Sequence, residues 1–460
     1  MVVQELLNIL GPGKVLTGAS VSERYFHIWA TQSGLQAAAV ILPRSTSEVS
    51  HVLSICNKYV QPVIVHGGLT GLVGSTESEK EQIVISLEKM NSIEEIDTQS
   101  RTMTVQAGVI LENIQEAAKS NGMLFPLNFG AKGSAHIGGA ISTNAGGLRV
   151  FRYGQTRNLI LGLEAVLADG TIISSMKKII KDNSGYDVKQ LFIGSEGTLG
   201  IVTKAVLRLQ EAPQSRNSVI AALPNYKNVV AFLKFMDAGL AGTLSAFELL
   251  WPSYYESMTS DPAPFKPPIP HGYPYYVLLD SLASNRGKDK LRIEALLEHA
   301  LENNLIIDAA LAENESDQQW FWSIREQIEH LQPLLKNFQG FDISVPIPAI
   351  GTYINSLIET CDAIPEIEKI ISFGHVADGN IHLIFGKSVQ SPELVHRINK
   401  LVYLPLKELG GSISAEHGIG IDKKDYLYLS RSQNEIDLMK RLKKALDPNN
   451  ILNPSRIFDM

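Results

Sequence analysis

Between Ala37 and about Leu209, short runs of β-branched and aliphatic residues alternate with glycine-rich turns. The runs are Ala39–Leu42, Val63–Val65, Ile83–Ser86, Thr104–Ala107, Glu164–Leu167, Ile172–Ser174 and Gly200–Leu209. They predict strands with a few helices between them, hence one α+β domain rich in glycine loops. At Gln210–Ser218 (QEAPQSRNS) the pattern turns polar around a proline, and longer helical periods carrying Lys and Glu follow, which marks a boundary. Beyond it, strand-like Val219–Leu223 leads into helical Tyr226–Met236 and strand-like Ser245–Leu250, while Tyr275–Asp280 leads into helical Lys288–Asn303. Such units predict an antiparallel sheet backed by helices. Gln433–Leu446 reads as an amphipathic helix stopped by Pro448 and a turn-rich tail.

A length of 460 residues allows two or three domains. With 44% hydrophobic and 19% charged residues, the composition excludes collagen-like, mucin-like and wholly disordered chains. A net charge of −7, with no basic run interleaved with aromatics, argues against a nucleic-acid partner. Cys56 and Cys361 form neither a disulfide framework nor a thiolate zinc site, and a reducing compartment is expected. The stretch Tyr25–Pro43 is too polar for a membrane span, and the N-terminus shows no signal or transit pattern, so the expected location is cytoplasmic.

Two segments are dense in glycine. In PVIVHGGLTGLVGS (62–75) a strand runs into a loop whose Gly67, Gly68, Gly71 and Gly74 can bring backbone N–H groups close to a phosphate. It lacks the Walker A lysine and the GxGxxG spacing, and an ordinary tight turn explains it as well. In GAKGSAHIGGAISTNAGG (130–147) small residues stand at nearly every position, a composition expected not to build a core helix. Two such loops in one domain suggest a diphosphate held between them, as in a dinucleotide. Close packing between strands is the other reading.

Three further segments carry polar chemistry. In SFGHVADGNIHLIF (372–385), Asp378-Gly379 is a type I′ hairpin signal, and with a two-residue loop His375 would face His382. Cross-strand neighbours have Cβ atoms ~4.5–5.5 Å apart, close enough for two imidazoles to share a metal. In GSISAEHGIG (411–420), Glu416 and His417 would point to opposite faces if the segment is extended. Glu416 then joins His375 and His382 at the metal, and His417 is left as a base. Two His and one carboxylate with an open position make a catalytic site suited to Zn²⁺ or Mn²⁺. A capping Glu and a solvated His are the plainer reading. The third segment, WFWSIREQI (320–328), is an amphipathic helix in which Arg325 would ordinarily be a surface charge.

The segments PVIVHGGLTGLVGS, IGGAISTNAGGLRVFRYGQTRNLILGLEAVLADG and DNSGYDVKQLFIGSEGTLGIVTKAVLRL resemble the FAD-binding domain of the vanillyl-alcohol-oxidase-type flavoproteins. Within that superfamily the chain is similar, from about Pro43 to Phe458, to the branch of (R)-2-hydroxy acid dehydrogenases acting on D-lactate, glycolate or D-2-hydroxyglutarate. The resemblance implies a two-part FAD-binding domain plus an antiparallel-sheet substrate (cap) domain backed by helices. The FAD domain would span 1–212, the cap domain with its metal site 213–425, and a returning C-terminal segment 426–460. By the same resemblance Gly67, Gly68, Leu69, Thr70 and Gly71 would cradle the FAD diphosphate. Gly133, Ser134, Gly138, Gly139, Thr143, Asn144 and Gly147 would line its other side. Glu196, Gly200, Ile201 and Val202 would lie nearer the adenosine, and Asn453 would close over the isoalloxazine. Relatives with attached flavin carry a histidine where this chain has Leu69, so the FAD is expected to be non-covalent. Arg325, in the W-x-x-R-E element, would bind the substrate carboxylate.

The expected reaction is oxidation of an (R)-2-hydroxy acid by hydride transfer to flavin N5, with a bound divalent metal and His417 as base. A quinone, an electron-transfer protein or a cytochrome would take the electrons, and a homodimer is compatible with this. Three rivals stand beside it: a metal-dependent hydrolase or lyase of a phosphorylated substrate, a flavoprotein that is only a scaffold, and an oxidase using O₂. Within the branch, D-2-hydroxyglutarate dehydrogenases resemble one another in a lysine ahead of the D-[IL]-S-[VL]-P strand and an asparagine two residues after the second metal histidine. Here these positions read Gly340 and Ile384. The pocket is therefore expected to favour a small or apolar side chain, as in D-lactate, over the dicarboxylate.

Overall fold

The computed structural model describes residues 1–460. The chain divides into two compact units, one made of Met1–Gly146, Gly154–Ala212 and Glu416–Met460, the other of Gly147–Tyr153 and Pro213–Ala415.

In the first unit, strands Ala39–Ile41 and Val63–His66 flank Ile83–Ser86 in parallel, and Val15–Leu16 closes one edge antiparallel. Parallel strands covered on both faces need consecutive apolar positions, and Ala39, Val40 and Ile41 are all fully buried. Helix Thr46–Lys58 links two of these strands and starts at Ser45, whose side chain accepts from the Glu48 amide. A five-stranded antiparallel sheet runs in the order Ile93–Asp97, Thr102–Gln106, Ile201–Arg208, Ile160–Val166, Ile172–Ser175.

The C-terminal tail completes this unit. Helix Gln433–Leu446 begins at a capping box of Ser432 and Glu435. After it the chain lies along the Val63–His66 strand: the Val63 amide donates to Ile451 O at 2.7 Å, the Asn453 amide to Val63 O at 2.9 Å, and the Val65 amide to Asn453 Oδ1 at 2.9 Å. The buried Lys443 ammonium fixes the turn, reaching Asp447 Oδ2, Thr198 O and Leu452 O at 2.5, 2.9 and 2.7 Å. Asp447 in turn accepts the amides of Ile451 and Leu452.

The second unit is built on a seven-stranded antiparallel sheet. Its order is Asp308–Leu311, Ser215–Leu223, Tyr275–Ala283, Leu244–Leu250, Ile367–Gly374, Asn380–Lys387, Gln339–Ser344. Helices Tyr226–Leu240 and Arg286–Glu302 pack on this sheet, and Leu250, Tyr254, Tyr276, Trp322 and Phe373 belong to one buried cluster.

One expectation about local structure is overturned. The small-residue segment does form a helix, Ile137–Thr143, in which Ile137, Gly138, Ala140 and Ile141 are buried. Small side chains permit it by letting the helix backbone sit against its neighbour: a Cβ at Gly138 would lie 2.7 Å from the Ala107 methyl and 2.9 Å from its carbonyl oxygen.

Candidate functional site

The first unit brings the two glycine segments into contact. A Cβ at Gly68 would stand 2.0 Å from Ser134 O and 2.9 Å from Ala135 Cα, so only glycine allows this approach. Leu69 follows with φ 58°. Beside these tight points lie open ones, since nothing stands within 4 Å of where a Cβ would project from Gly71 or Gly139. The ring nitrogens His27 Nε2 and His136 Nδ1 are buried without a partner. Tight backbone approach beside open space, with unsatisfied polar atoms nearby, fits a bound polyanion such as the FAD diphosphate.

The remaining residues expected around FAD are placed as follows. Gly133 and Ser134 precede the Ile137–Thr143 helix, which carries Gly138, Gly139 and Thr143. Asn144 ends it at φ 52°, and its Oδ1 accepts the Arg157 amide at 3.0 Å. Gly147 opens the short 147–153 segment grouped with the second unit. Ile201 and Val202 begin the Ile201–Arg208 strand, both buried, and a Cβ at Gly200 would meet the Phe192 ring at 2.8 Å. The side-chain Nδ2 of Asn453 donates to Glu196 O at 2.6 Å. Glu196 is buried, with Oε1 accepting the Ile419 amide at 2.7 Å and Oε2 accepting the Gly420 amide and the Ser75 hydroxyl, each at 2.9 Å. Burial pushes its pKa up, and these three donors oppose the shift.

The second unit gathers a cluster of charged side chains on its sheet. Glu248 lies in the Leu244–Leu250 strand, where every residue is buried. Its Oε2 accepts from Arg325 Nε at 2.6 Å and its Oε1 meets His375 Nδ1 at 2.5 Å. Burial alone would raise the Glu248 pKa, but its contacts with His375 and Arg325 bring it down to about 2. Arg325, expected as a surface charge on bare pattern, is buried on helix Glu315–Glu326 and stacks over the Phe373 ring at 4.7 Å. With Nδ1–H of His375 directed at Glu248, Nε2 is the nitrogen left as acceptor, and it lies 3.5 Å from His382 Nε2. Asp342, paired across the sheet with His382, is fully buried, and its oxygens accept from Asn380 Nδ2 at 2.7 Å and from the Ala415 amide at 3.1 Å.

The geometry that brings the two histidines together differs from the expected hairpin. His382 pairs with Phe373, not with His375, and a 3₁₀ turn over Val376–Asp378 makes the loop longer than two residues. A type I′ turn needs φ > 0 at both central positions, and here Gly379, at φ 83°, adopts that region while Asp378 belongs to the 3₁₀ turn. The carbonyl of His375 accepts from the amides of Asp378 and Asn380, which fixes the histidine at the loop's start.

A second expectation gives way along 411–420. Beyond a bridge between Ser344 and Ser412 the segment is irregular, with Gly418 at φ 85° and Gly420 at φ 53°, so strand alternation does not separate Glu416 from His417. Of the residues expected at the metal site, His375 and His382 lie together in the second unit, while Glu416 and His417 open the last segment grouped with the first. Two imidazoles and a carboxylate are a donor set that fits Zn²⁺ or Mn²⁺.

Sequence pattern alone missed Glu248 and Asp342. The signal for Glu248 was a lone carboxylate inside LSAFELL, a run otherwise fit for a strand buried on both faces. Gly340 and Ile384 face each other directly, two residues along from the Asp342–His382 pair on the same sheet face.

Comparison with known proteins adds the following. Residues 37–175 match a family described as FAD binding domain, and residues 212–457 one described as FAD linked oxidases, C-terminal domain. A D-2-hydroxyglutarate dehydrogenase of Stutzerimonas stutzeri is 34% identical, the match covering 99% of this chain and 98% of the relative. The mitochondrial D-2-hydroxyglutarate dehydrogenase of Arabidopsis thaliana is 35% identical over 98% of this chain and 80% of its own length. A Schizosaccharomyces pombe protein with the provisional name D-lactate dehydrogenase, mitochondrial, is 38% identical over 93% of this chain and 82% of that relative. Among solved structures, p-cresol methylhydroxylase with substrate bound has the same fold, with a TM-score of 0.77 at 16% identity, covering 100% of this chain and 96% of the other.

Proposed function

The chain belongs to the FAD-linked oxidase family, in its branch of FAD-dependent 2-hydroxy acid dehydrogenases, and from this premise we propose that it oxidises a small (R)-2-hydroxy acid such as D-lactate. The observation that carries the metal-assisted form of this reading is the His375–His382 pair: two imidazole nitrogens 3.5 Å apart, one oriented by a buried carboxylate, are arranged for a shared cation.

In this reading FAD is held without a covalent bond by the glycine loops at 67–71 and 133–147, and when bound it supplies the acceptor for the substrate's C2 hydride. His375, His382 and Glu416 would hold a Zn²⁺ or Mn²⁺, which would supply Lewis acidity toward the substrate hydroxyl. Glu248 fixes the tautomer of His375, with the ring proton on Nδ1 and the lone pair on Nε2. Arg325 binds the substrate carboxylate with its planar fork, and Glu248 holds that fork in place. His417 accepts the hydroxyl proton. The electrons leave to a quinone, an electron-transfer protein or a cytochrome.

The names of the relatives favour a second reading, D-2-hydroxyglutarate as substrate. The Gly340–Ile384 pair favours the first, because neither residue can hold a distal carboxylate and Ile384 adds apolar surface. Comparing kcat/KM for D-lactate, D-2-hydroxybutyrate and D-2-hydroxyglutarate tests the two. We expect D-lactate or D-2-hydroxybutyrate to lead, and a clear preference for the dicarboxylate would overturn the small-substrate reading. A purified protein with no flavin absorbance and no FAD uptake would remove the redox reading altogether.

A further inference from the structure

Glu196 is engaged in a way its expected place near the adenosine does not explain. Its backbone is pinned on both sides: the Glu196 amide donates to Ser142 O at 2.8 Å, and its carbonyl accepts from Asn453 Nδ2 at 2.6 Å. It holds φ 50°, a conformation that non-glycine residues adopt at a cost. From this fixed base the buried carboxylate reaches the stretch just past His417, taking the Ile419 amide on Oε1 and the Gly420 amide on Oε2. Ser75 completes Oε2.

The stretch it grips would otherwise be loose. Gly418 and Gly420 both have positive φ, and glycine-rich segments lose the most conformational freedom on ordering. The fit at Gly418 is tight, since a Cβ there would stand 2.9 Å from Glu196 Oε1. We infer that Glu196 is a positioning residue: its carboxylate clamps the backbone after His417 and so sets where the imidazole of that base stands. This rests on the reading of His417 as base, and it assigns the buried carboxylate to the base's loop.

Glu196→Gln tests it, because the introduced NH₂ must face one of the two backbone donors. In the full-length flavoprotein, with D-lactate as probe, we expect FAD at the parent's stoichiometry and an apparent Kd for D-lactate within a few-fold of the parent. Flavin reduction at saturating D-lactate should slow on the order of 10²-fold, the scale of a misplaced reacting group, with a larger solvent-deuterium effect. Hydrogen exchange in a peptide covering 415–421 should speed up, which reads the clamp without turnover. Gly418→Ala should act on the same contact, so the double variant should be no slower than the slower single one. Loss of FAD from Glu196→Gln, unchanged exchange in 415–421, or additive effects in the double variant would each overturn the inference. His417→Ala is run in parallel. If it is slow while Glu196→Gln reduces like the parent, this inference alone falls; if His417→Ala itself reduces like the parent, the base assignment falls and takes this inference with it.

Discussion

Replacing Glu248 by glutamine should weaken both the second unit and its hold on a metal. The parent carboxylate has no exposure to water and uses one oxygen on Arg325 and the other on His375. Glutamine keeps the volume and one acceptor, but its NH₂ must face a donor and the Arg325 charge loses its counter-ion at a buried site. Removing one partner of a buried ion pair typically costs about 3–5 kcal/mol, and since the amide still accepts one hydrogen bond we expect the lower end, about 3 kcal/mol. The His375 ring also loses the group that fixes its tautomer, and such losses lower metal affinity about 10–100-fold. Urea unfolding of the metal-free protein measures the first effect, and competition for Zn²⁺ against a chelator of known affinity measures the second. The flavin content should not change. Unfolding and Zn²⁺ affinity both matching the parent would show that Glu248 neither balances Arg325 nor orients a metal ligand.

His66, fully buried beside the first glycine loop with Nε2 donating to Thr76 O at 2.8 Å, has its pKa lowered by burial to about 4. Because the folded pKa lies below the unfolded one, His66 favours folding above about pH 6.5, and about 3 kcal/mol is lost as pH falls toward 4. The pH dependence of thermal unfolding should therefore be flatter in that window for His66→Gln, and identical slopes would contradict this. Acid precipitation should release yellow flavin into the supernatant if FAD is non-covalent, whereas flavin that stays in the pellet shows an attachment. Gly68→Ala should lose FAD and stability together, by at least the ~1–3 kcal/mol of an overpacked site, because Ser134 O already occupies the space. A Gly68→Ala protein that binds FAD and melts like the parent would show that the two loops separate readily.

Where a residue's environment is local, the sequence was informative. The helix Gln433–Leu446 forms with the limits its pattern predicts, because its capping box and apolar stripe lie within one stretch of chain. Helix Thr46–Lys58 carried the same kind of signal in Ser45 and Glu48, but it was masked by the strand-like runs on either side. Glu248 shows the opposite limit, since its two partners lie 77 and 127 residues away and no local pattern ties the three together. The histidine pair was found through a turn signal that proved wrong in detail. His375 approaches His382 because the loop is longer and tighter than a two-residue turn, which depends on backbone angles that the Asp-Gly dipeptide does not fix. The register of 411–420 failed for a related reason: two glycines at positive φ break the alternation assumed for an extended segment.

The strand Val63–His66 carries a consequence for how the chain is made. Its outer edge is covered by residues 451–453, and the bond from the Val65 amide to Asn453 spans 388 positions in sequence. A ribosome has therefore released that edge, and must synthesise the whole Pro213–Ala415 insert, long before the segment that covers it exists. Throughout that interval the nascent first unit presents an unpaired, largely apolar strand edge, the kind of surface that recruits other chains. The long sequence separation also makes this closing step a late one. Residues 451–453 thus act as the seal on a sheet whose other strands are made long before them, and a chain stopped short of Asp447 would be left with an open, aggregation-prone border.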